Sequence, residues 1–344
     1  MNTSTRKALT GLGMGAGFIV SYNLAKNIAR KISFKGRVVL ISGGSRGLGL
    51  VLAKEFAKNG ASVALLARDE EELHRAQNIV QFAATDAQVM TLPCDSRERE
   101  QVRKAVNQVV EQWGRLDIVV NCAGIIATAP LENTTEEDFS DSIDTHFWAA
   151  YNVVEESLPF LKTTRGARII NIGSIGGLIP VPHLAAYCAG KFALEGYSKT
   201  LRAELMKYGI HVTTVSPGLM RTGSAGQATF KGQARKEYTW FSISSSLPLL
   251  TISAENAAKK IVRACKYGKA ELVLTWPAKT AAQFKSLFPE MFADILSFVN
   301  VLLPSPGEDS ELKVKGKDAH TRLSPSIVTR LSEKAAERNN EQSL

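Results

Sequence analysis

Val38-Val39-Leu40-Ile41-Ser42-Gly43-Gly44-Ser45-Arg46-Gly47-Leu48-Gly49 sets an unbroken apolar run against a glycine-rich turn. A run without polar alternation reads as a strand buried on both faces of a sheet. From Leu48 to Asn59 apolar residues recur at helical spacing. Strand, glycine turn and helix in that order bring backbone amides close to a ligand, and the free N–H groups of the helix start favour a phosphate. Without those flanks the same glycines would read only as a tight connection.

The alternation extends outward from this unit. Strand-like runs fall near 38–42, 62–67, 88–92, 117–121, 167–172, 211–216 and 271–275, with helical patterns between them. Regular alternation predicts an α/β fold with a doubly wound parallel sheet, Rossmann-type with seven strands, covered by helices on both faces. It predicts a single domain with helical N- and C-terminal extensions: residues 1–34 as a basic-flanked apolar leader, 35–276 as the domain, 277–303 as an apolar helical extension and 304–344 as a polar tail.

Tyr187 and Lys191 lie four positions apart in a segment, 186–208, that reads as helix, and Ser174 precedes Tyr187 by thirteen residues. Side chains four apart share a helix face, which sets an ammonium beside a phenol. A phenol titrates near about 10, and a neighbouring cation lowers that value. The trio therefore has the chemistry to exchange a proton with a carbonyl or alcohol oxygen, Ser174 holding that oxygen by a hydrogen bond.

With these motifs on the page, the chain resembles the short-chain dehydrogenase/reductase family over roughly residues 35–275, and within it membrane-associated carbonyl or hydroxysteroid-type reductases. The family's T-G-x-x-x-G-x-G loop appears with Ser42 for Thr, and its Y-x-x-x-K motif as Tyr187 and Lys191. Asn121-Cys122-Ala123-Gly124 corresponds to N-N-A-G after the fourth strand, and Pro217-Gly218-Leu219-Met220-Arg221-Thr222 to P-G-x-x-x-T after the sixth. The resemblance implies an NAD(P)-dependent enzyme that transfers a hydride between a nicotinamide and a carbonyl carbon. Tyr187 would be general acid/base, and Lys191 would lower its pKa and bind the nicotinamide ribose. Cofactor contacts are implied for Gly43, Ser45, Arg46, Gly47, Leu48 and Gly49 in the loop, for Asp95 at the adenine, and for Asn121, Ala123 and Gly124. On the nicotinamide side they are implied for Pro217, Gly218 and Thr222. His146 aligns with the family's active-site Asn, which holds a water linking the lysine to solvent; an imidazole has the donor and acceptor for that relay, and equally for a hydrogen bond inside the helix.

Charge bears on the choice of dinucleotide. The second strand ends in Ala67-Arg68, where an NAD site would place an acid. Arg68, with Arg46 in the loop, suits a 2′-phosphate, so NADP is expected over NAD; Asp69, one residue on, is the opposing signal.

Seven basic residues and no acid lie in residues 1–37, and they carry most of the net charge of +9. The remainder is nearly neutral, which argues against nucleic-acid binding. Between the basic flanks, residues 8–25 run without a charge, close to the length of about 20 that spans a bilayer, though diluted by four glycines. A spanning helix, an interfacial helix and a leader packed on the domain are all compatible with it, a cleaved signal less so. The expectation is a membrane-associated enzyme with its domain in a reducing compartment, otherwise cytoplasmic. Cys94, Cys122, Cys188 and Cys265 are dispersed, as reduced core thiols would be, with no metal-ligand spacing.

Beyond the last strand, Pro289 divides an apolar extension, whose second half bears a narrow stripe of Glu290, Asp294, Ser297 and Asn300. Too short to span a bilayer, it must bury its wide apolar face, and docking over the active-site mouth or in a dimer contact is the favoured reading. From Pro304 the chain reads as a tail with at most a weak helix over 326–338. Residues 223–253 carry glycines, a basic cluster at Lys231, Arg235 and Lys236, and then Tyr238, Trp240 and Phe241. In the resembled family this segment is a lid, and its aromatics would suit a lipophilic carbonyl or alcohol substrate. A homo-oligomer is implied, pairing through helices such as 135–161 and 186–208. A cofactor-binding scaffold with little catalysis is the alternative.

Overall fold

Each apolar run in the computed structural model, which describes residues 21–22, 25–247, 250–308, 312–321 and 329–341, becomes a strand of one parallel sheet. The strands are β1 (Val38–Ser42), β2 (Ser62–Ala67), β3 (Val89–Pro93), β4 (Ile118–Asn121), β5 (Arg168–Ile172), β6 (His211–Ser216) and β7 (Glu271–Val273), ordered β7-β6-β5-β4-β1-β2-β3. The chain winds outward from β1 to β3, then returns to pair β4 on the other side of β1. That reversal leaves a crevice at the carboxyl ends of β1 and β4, where α/β sheets bind ligands.

Helices fill the crossovers: α1 (Gly47–Lys58), α2 (Glu70–Ala83), α3 (Arg99–Trp113), α4 (Glu136–Ile143), α5 (Ala149–Thr163), α6 (Ala185–Leu205), α7 (Ala234–Ser244) and α8 (Ala254–Lys266). The pleat sends Val39 and Ile41 to one face, where Leu50, Phe56, Leu73 and Ile261 of α1, α2 and α8 cover them. Val38 and Leu40 face the other layer, against Val106, Val154 and Leu201 of α3, α5 and α6. Burial on both faces is what the unbroken apolar runs encode.

At the amino end of the sheet Asp117 is fully buried and triply engaged. It accepts from Arg37 Nη1 at 2.7 Å, from Arg115 through two nitrogens at 2.6 and 2.8 Å, and from the Val38 backbone N–H at 3.0 Å. One carboxylate thus ties the start of β1 to the start of β4.

The C-terminal extension forms α9 (Trp276–Leu287) and α10 (Pro289–Val301), with Pro289 opening the second helix as expected. Its placement corrects one expectation. The pair does not cover the active-site mouth: none of its residues lines the cleft described below, and Leu287, Phe288, Met291, Phe298, Val301 and Leu302 are exposed. The cause is the turn at Pro289, which folds α10 back so that Phe292 meets Phe284 at 6.2 Å and most of the remaining apolar face points outward from the sheet edge. The tail carries a helix, α11 (Arg330–Arg338), and α11 docks on the domain. Two-residue strands stitch the substrate side together: Thr229–Phe230 pairs with Ala127–Thr128 and, antiparallel, with Val314–Lys315.

The apolar leader falls mostly outside the described residues. Among those described, no helix is long and apolar enough to cross a membrane.

Candidate active site

The glycine loop is shaped by close approach. Gly43 has φ +70°, and a Cβ there would lie 2.7 Å from Ala123 Cα, so β1 and β4 can meet at the crevice only through glycine. Gly47 has φ +55° and opens α1, whose first amides are uncapped by any side chain. A side chain at Gly49 would overlap the Gly43 carbonyl oxygen. The cleft above this loop encloses about 1110 Å³. Gly43, Ser45, Arg46, Gly47, Leu48 and Gly49 line it, together with Arg68, Asp95, Ala123, Gly124, Pro217, Gly218 and Thr222.

Asn121 is the exception among the expected cofactor positions. It lies behind the wall, its amide donating to Asn171 Oδ1 at 2.8 Å, and so joins β4 to β5. Asp95 faces the cleft but is held by Arg97 through Nε at 3.1 Å and Nη2 at 2.7 Å, which helps keep its carboxyl below the usual range against the effect of burial. Asp69 also lines the cleft. Its carboxylate accepts from the Glu72 backbone N–H at 2.8 Å and caps α2. Arg46 pairs with Glu72 at 2.7 Å, whereas Arg68 lines the cleft with no ion pair among the described residues.

Ser174, at the carboxyl end of β5, and Tyr187 and Lys191, on successive turns of α6, converge on one wall of the cleft. Lys191 Nζ lies 5.8 Å from the Tyr187 ring centre and donates to the Ile172 carbonyl at 3.0 Å. Burial pushes the Tyr187 phenol up to about 12, while a hydrogen bond with Ser174 pulls the other way. The Lys191 ammonium is itself desolvated and lowered to about 8. The trio assembles, with Ser174 hydrogen-bonded to the phenol and Lys191 beside its ring.

His146 sits in a π-helical turn, Asp144–Trp148, between α4 and α5. One extra residue in a helix re-aims a side chain, and such turns recur at functional sites. The ring meets Tyr187 edge to face at 5.3 Å. Nε2 donates to the Ile125 carbonyl at 3.0 Å, so Nδ1 is the acceptor of a neutral imidazole, and it is buried without a protein partner. Burial and then Lys191 hold its pKa well below the ordinary histidine value.

Across the cleft, Trp240, Phe241 and Ser245 of the expected lid form a wall with Val181, Leu184 and Met220. A buried ion pair and a buried hydrogen bond anchor this segment. Lys231 reaches Asp138 at 2.6 Å, and Glu237 of α7 reaches His183 Nδ1 at 2.8 Å while accepting from Trp240 Nε1 at 2.7 Å. Lys231 is thus no part of a solvated basic cluster. The sequence reading also missed Asn339, Asn340 and Glu341, which lie in the cleft against the glycine loop. An Asn pair after a helix is a C-cap signal, but nothing local says where it docks. Cys188, next to Tyr187, is a buried thiol pushed up by burial, as a packing residue would be.

Comparison with known proteins agrees with this geometry. The family model for short chain dehydrogenase matches residues 37–231. An 11-beta-hydroxysteroid dehydrogenase A of Sesamum indicum is 32% identical over 284 residues, 79% of this chain and 77% of the relative. A 3-ketodihydrosphingosine reductase of Bacteroides thetaiotaomicron is 35% identical over 187 residues, 54% of this chain and 65% of that protein. The crystal structure of L-sorbose reductase from Gluconobacter frateurii complexed with NADPH and L-sorbose superposes with a TM-score of 0.62 at 26% identity, over 70% of this chain and 95% of that one. A short chain dehydrogenase from Mycobacterium paratuberculosis bound to NAD gives the same score and identity over 72% and 100%. A doubly wound sheet, a glycine cradle at its switch point and a Ser, Tyr and Lys beside it thus coincide with the family model and with these relatives, and the chain belongs to the short-chain dehydrogenase/reductase family of NAD(P)-dependent oxidoreductases that interconvert carbonyls and alcohols.

Proposed function

We propose that the protein is an NADP(H)-dependent reductase of a lipophilic carbonyl compound. The convergence of Ser174, Tyr187 and Lys191 beside the glycine cradle is the observation that carries this reading. The residues present fit a dinucleotide: the Gly43–Ala123 approach clears its path, the start of α1 offers amide donors for a diphosphate, and Arg68 offers a guanidinium to a 2′-phosphate. When bound, the nicotinamide supplies or accepts the hydride. Ser174 holds the substrate oxygen, and Tyr187, kept protonated by burial, gives that oxygen its proton. Lys191 places its charge behind the phenol, and His146 Nδ1 is free to accept from a water that returns protons to the site.

Lipophilicity rests on the apolar wall of Val181, Leu184, Met220, Trp240 and Phe241, and agrees with relatives named for a ketosphingoid base and a hydroxysteroid. The test is NADPH oxidation, followed by its absorbance, with ketosteroids, long-chain ketones and small polar ketoses offered in parallel. Turnover confined to the polar ketoses, or none with any carbonyl, sinks the reading.

NADP selectivity rests on Arg68, because Arg46 is already paired and one oxygen of Asp69 is engaged in capping α2. In Arg68→Ala, the KM for NADPH should rise about tenfold, the loss of one charge-assisted contact of 1.4 kcal/mol or so, with little change for NADH. Equal effects on both would remove Arg68 from the phosphate site.

The stretch 8–25 is the segment that would bring the enzyme to a membrane, with the domain on its reducing side. Cell fractionation of the chain with and without residues 1–30 should move it from pellet to supernatant; an unchanged distribution rules the anchor out.

A further inference from the structure

The last described residues occupy the place a dinucleotide needs. The Gly47 N–H, at the start of α1, donates to the Asn339 carbonyl at 2.8 Å. A Cβ on Gly47 would stand 2.6 Å from Glu341 Oε1, so the carboxylate rests on the bare glycine, with Arg46 Nε 3.5 Å from its other oxygen. Asn340, at φ +58°, donates to the Ser45 and Glu72 carbonyls at 2.9 and 3.1 Å and accepts from Arg75 Nε at 3.0 Å. On the opposite wall, the Asn339 amide donates to the Thr222 carbonyl at 3.1 Å and Gln227 donates to the Glu341 carbonyl at 2.9 Å. The helix leading here is fitted as well: a side chain at Gly223 would overlap Ala336 of α11. The tail bridges the glycine loop and the 222–227 segment, the two sides between which a dinucleotide extends.

We propose that residues 339–341 are an intramolecular occupant of the nucleotide cleft, and that the cofactor's diphosphate binds only when this tail has withdrawn. The inference rests on the dinucleotide-binding reading above. Exclusivity follows from stoichiometry and space. One N–H cannot serve both the Asn339 carbonyl and a phosphate oxygen, and a diphosphate cannot occupy the Gly47 surface on which the Glu341 carboxyl group already rests. The docked tail is held by ordinary hydrogen bonds and by a carboxylate whose Oε2 has no hydrogen-bond partner. Burial raises the Glu341 carboxyl to about 7, with Arg46 lowering it and Glu72 raising it further. Such an occupant can be displaced by a ligand that brings two phosphates to the same amides.

A tail docked nine-tenths of the time weakens apparent affinity about tenfold. The test compares the full chain with one ending at Thr329, each titrated with NADPH and NADH by nicotinamide fluorescence. The shortened chain should bind about tenfold tighter. A peptide of residues 329–344 added in trans should raise its KM for the dinucleotide and leave kcat unchanged. Asn340→Gly in the full chain keeps α11 and the backbone conformation, removes three of the contacts, and should shift affinity in the same direction. Equal affinities in all three proteins, or weaker binding without the tail, overturn the proposal while leaving the cofactor reading intact. Failure of every form to bind either dinucleotide overturns both.

Discussion

Tyr187→Phe should lower kcat by about 10²–10⁴-fold, the usual worth of a positioned proton donor, with the KM for the dinucleotide little changed. The substitution keeps the ring, and with it the edge-to-face contact with His146 at 5.3 Å and the place of Lys191 5.8 Å from the ring centre. Only the hydroxyl and its hydrogen bond with Ser174 are lost. Because burial pushes the phenol up to about 12, Tyr187 in the parent protein remains an acid across the neutral range. Carbonyl reduction should therefore be nearly flat with pH there, whereas alcohol oxidation, which needs phenolate, should climb with pH. Steady-state kinetics of both enzymes in both directions check this. A Phe variant with near-parental turnover would move the proton donor elsewhere.

Asp117→Ala should destabilise the domain by about 1–3 kcal/mol, the scale on which leaving a buried hydrogen-bonding group unsatisfied acts. The carboxylate is fully buried, and its loss leaves the backbone N–H of buried Val38 without its partner, whereas Arg115 is half exposed and Arg37 keeps its bonds to the Ser33 and Arg165 carbonyls. Asp117→Asn keeps an acceptor in place and should cost less. Urea denaturation of the three proteins gives the comparison, read from the midpoint at constant slope. Since Asp117 lies at the opposite end of β1 from the glycine loop, the folded fraction of either variant should retain its KM values. A change in KM without a change in stability would show that the acid acts on the site.

The sheet was legible because its inner strands β1, β2, β4, β5 and β6 are buried on both sides, so their sequence carries the signal without help from neighbours. Expected and observed strand limits differ by a residue or two. The Ser174, Tyr187 and Lys191 cluster was legible for a related reason: the helix repeat fixes the last two, and the end of a strand presents the first. What escaped reading depends on partners far away in the chain. Lys231 read as part of a basic cluster, and its pairing went unseen because Asp138 is 93 positions distant. Asn340 looked like part of a solvated tail because its acceptors are carbonyls of the glycine loop and α2, as much as 295 positions distant. The cap at Asp69 had a local signal that went unread: Asp69-Glu70-Glu71-Glu72 is a helix-start pattern, and one oxygen of that carboxylate caps α2 while the residue also lines the cleft. The Tyr187 shift needed coordinates, since a four-residue spacing reveals proximity but not how much water both groups have lost.

The small sheet that joins Val314–Lys315 to Thr229–Phe230 makes the far end of the chain a wall of the substrate chamber, where Lys315 and Lys317 also face the cleft. Trimming the protein after β7 would strip an edge partner from the segment that precedes α7 and unroof one side of the cleft. Catalytic constants measured on such a shortened enzyme should describe a wider, less selective vessel than the full chain.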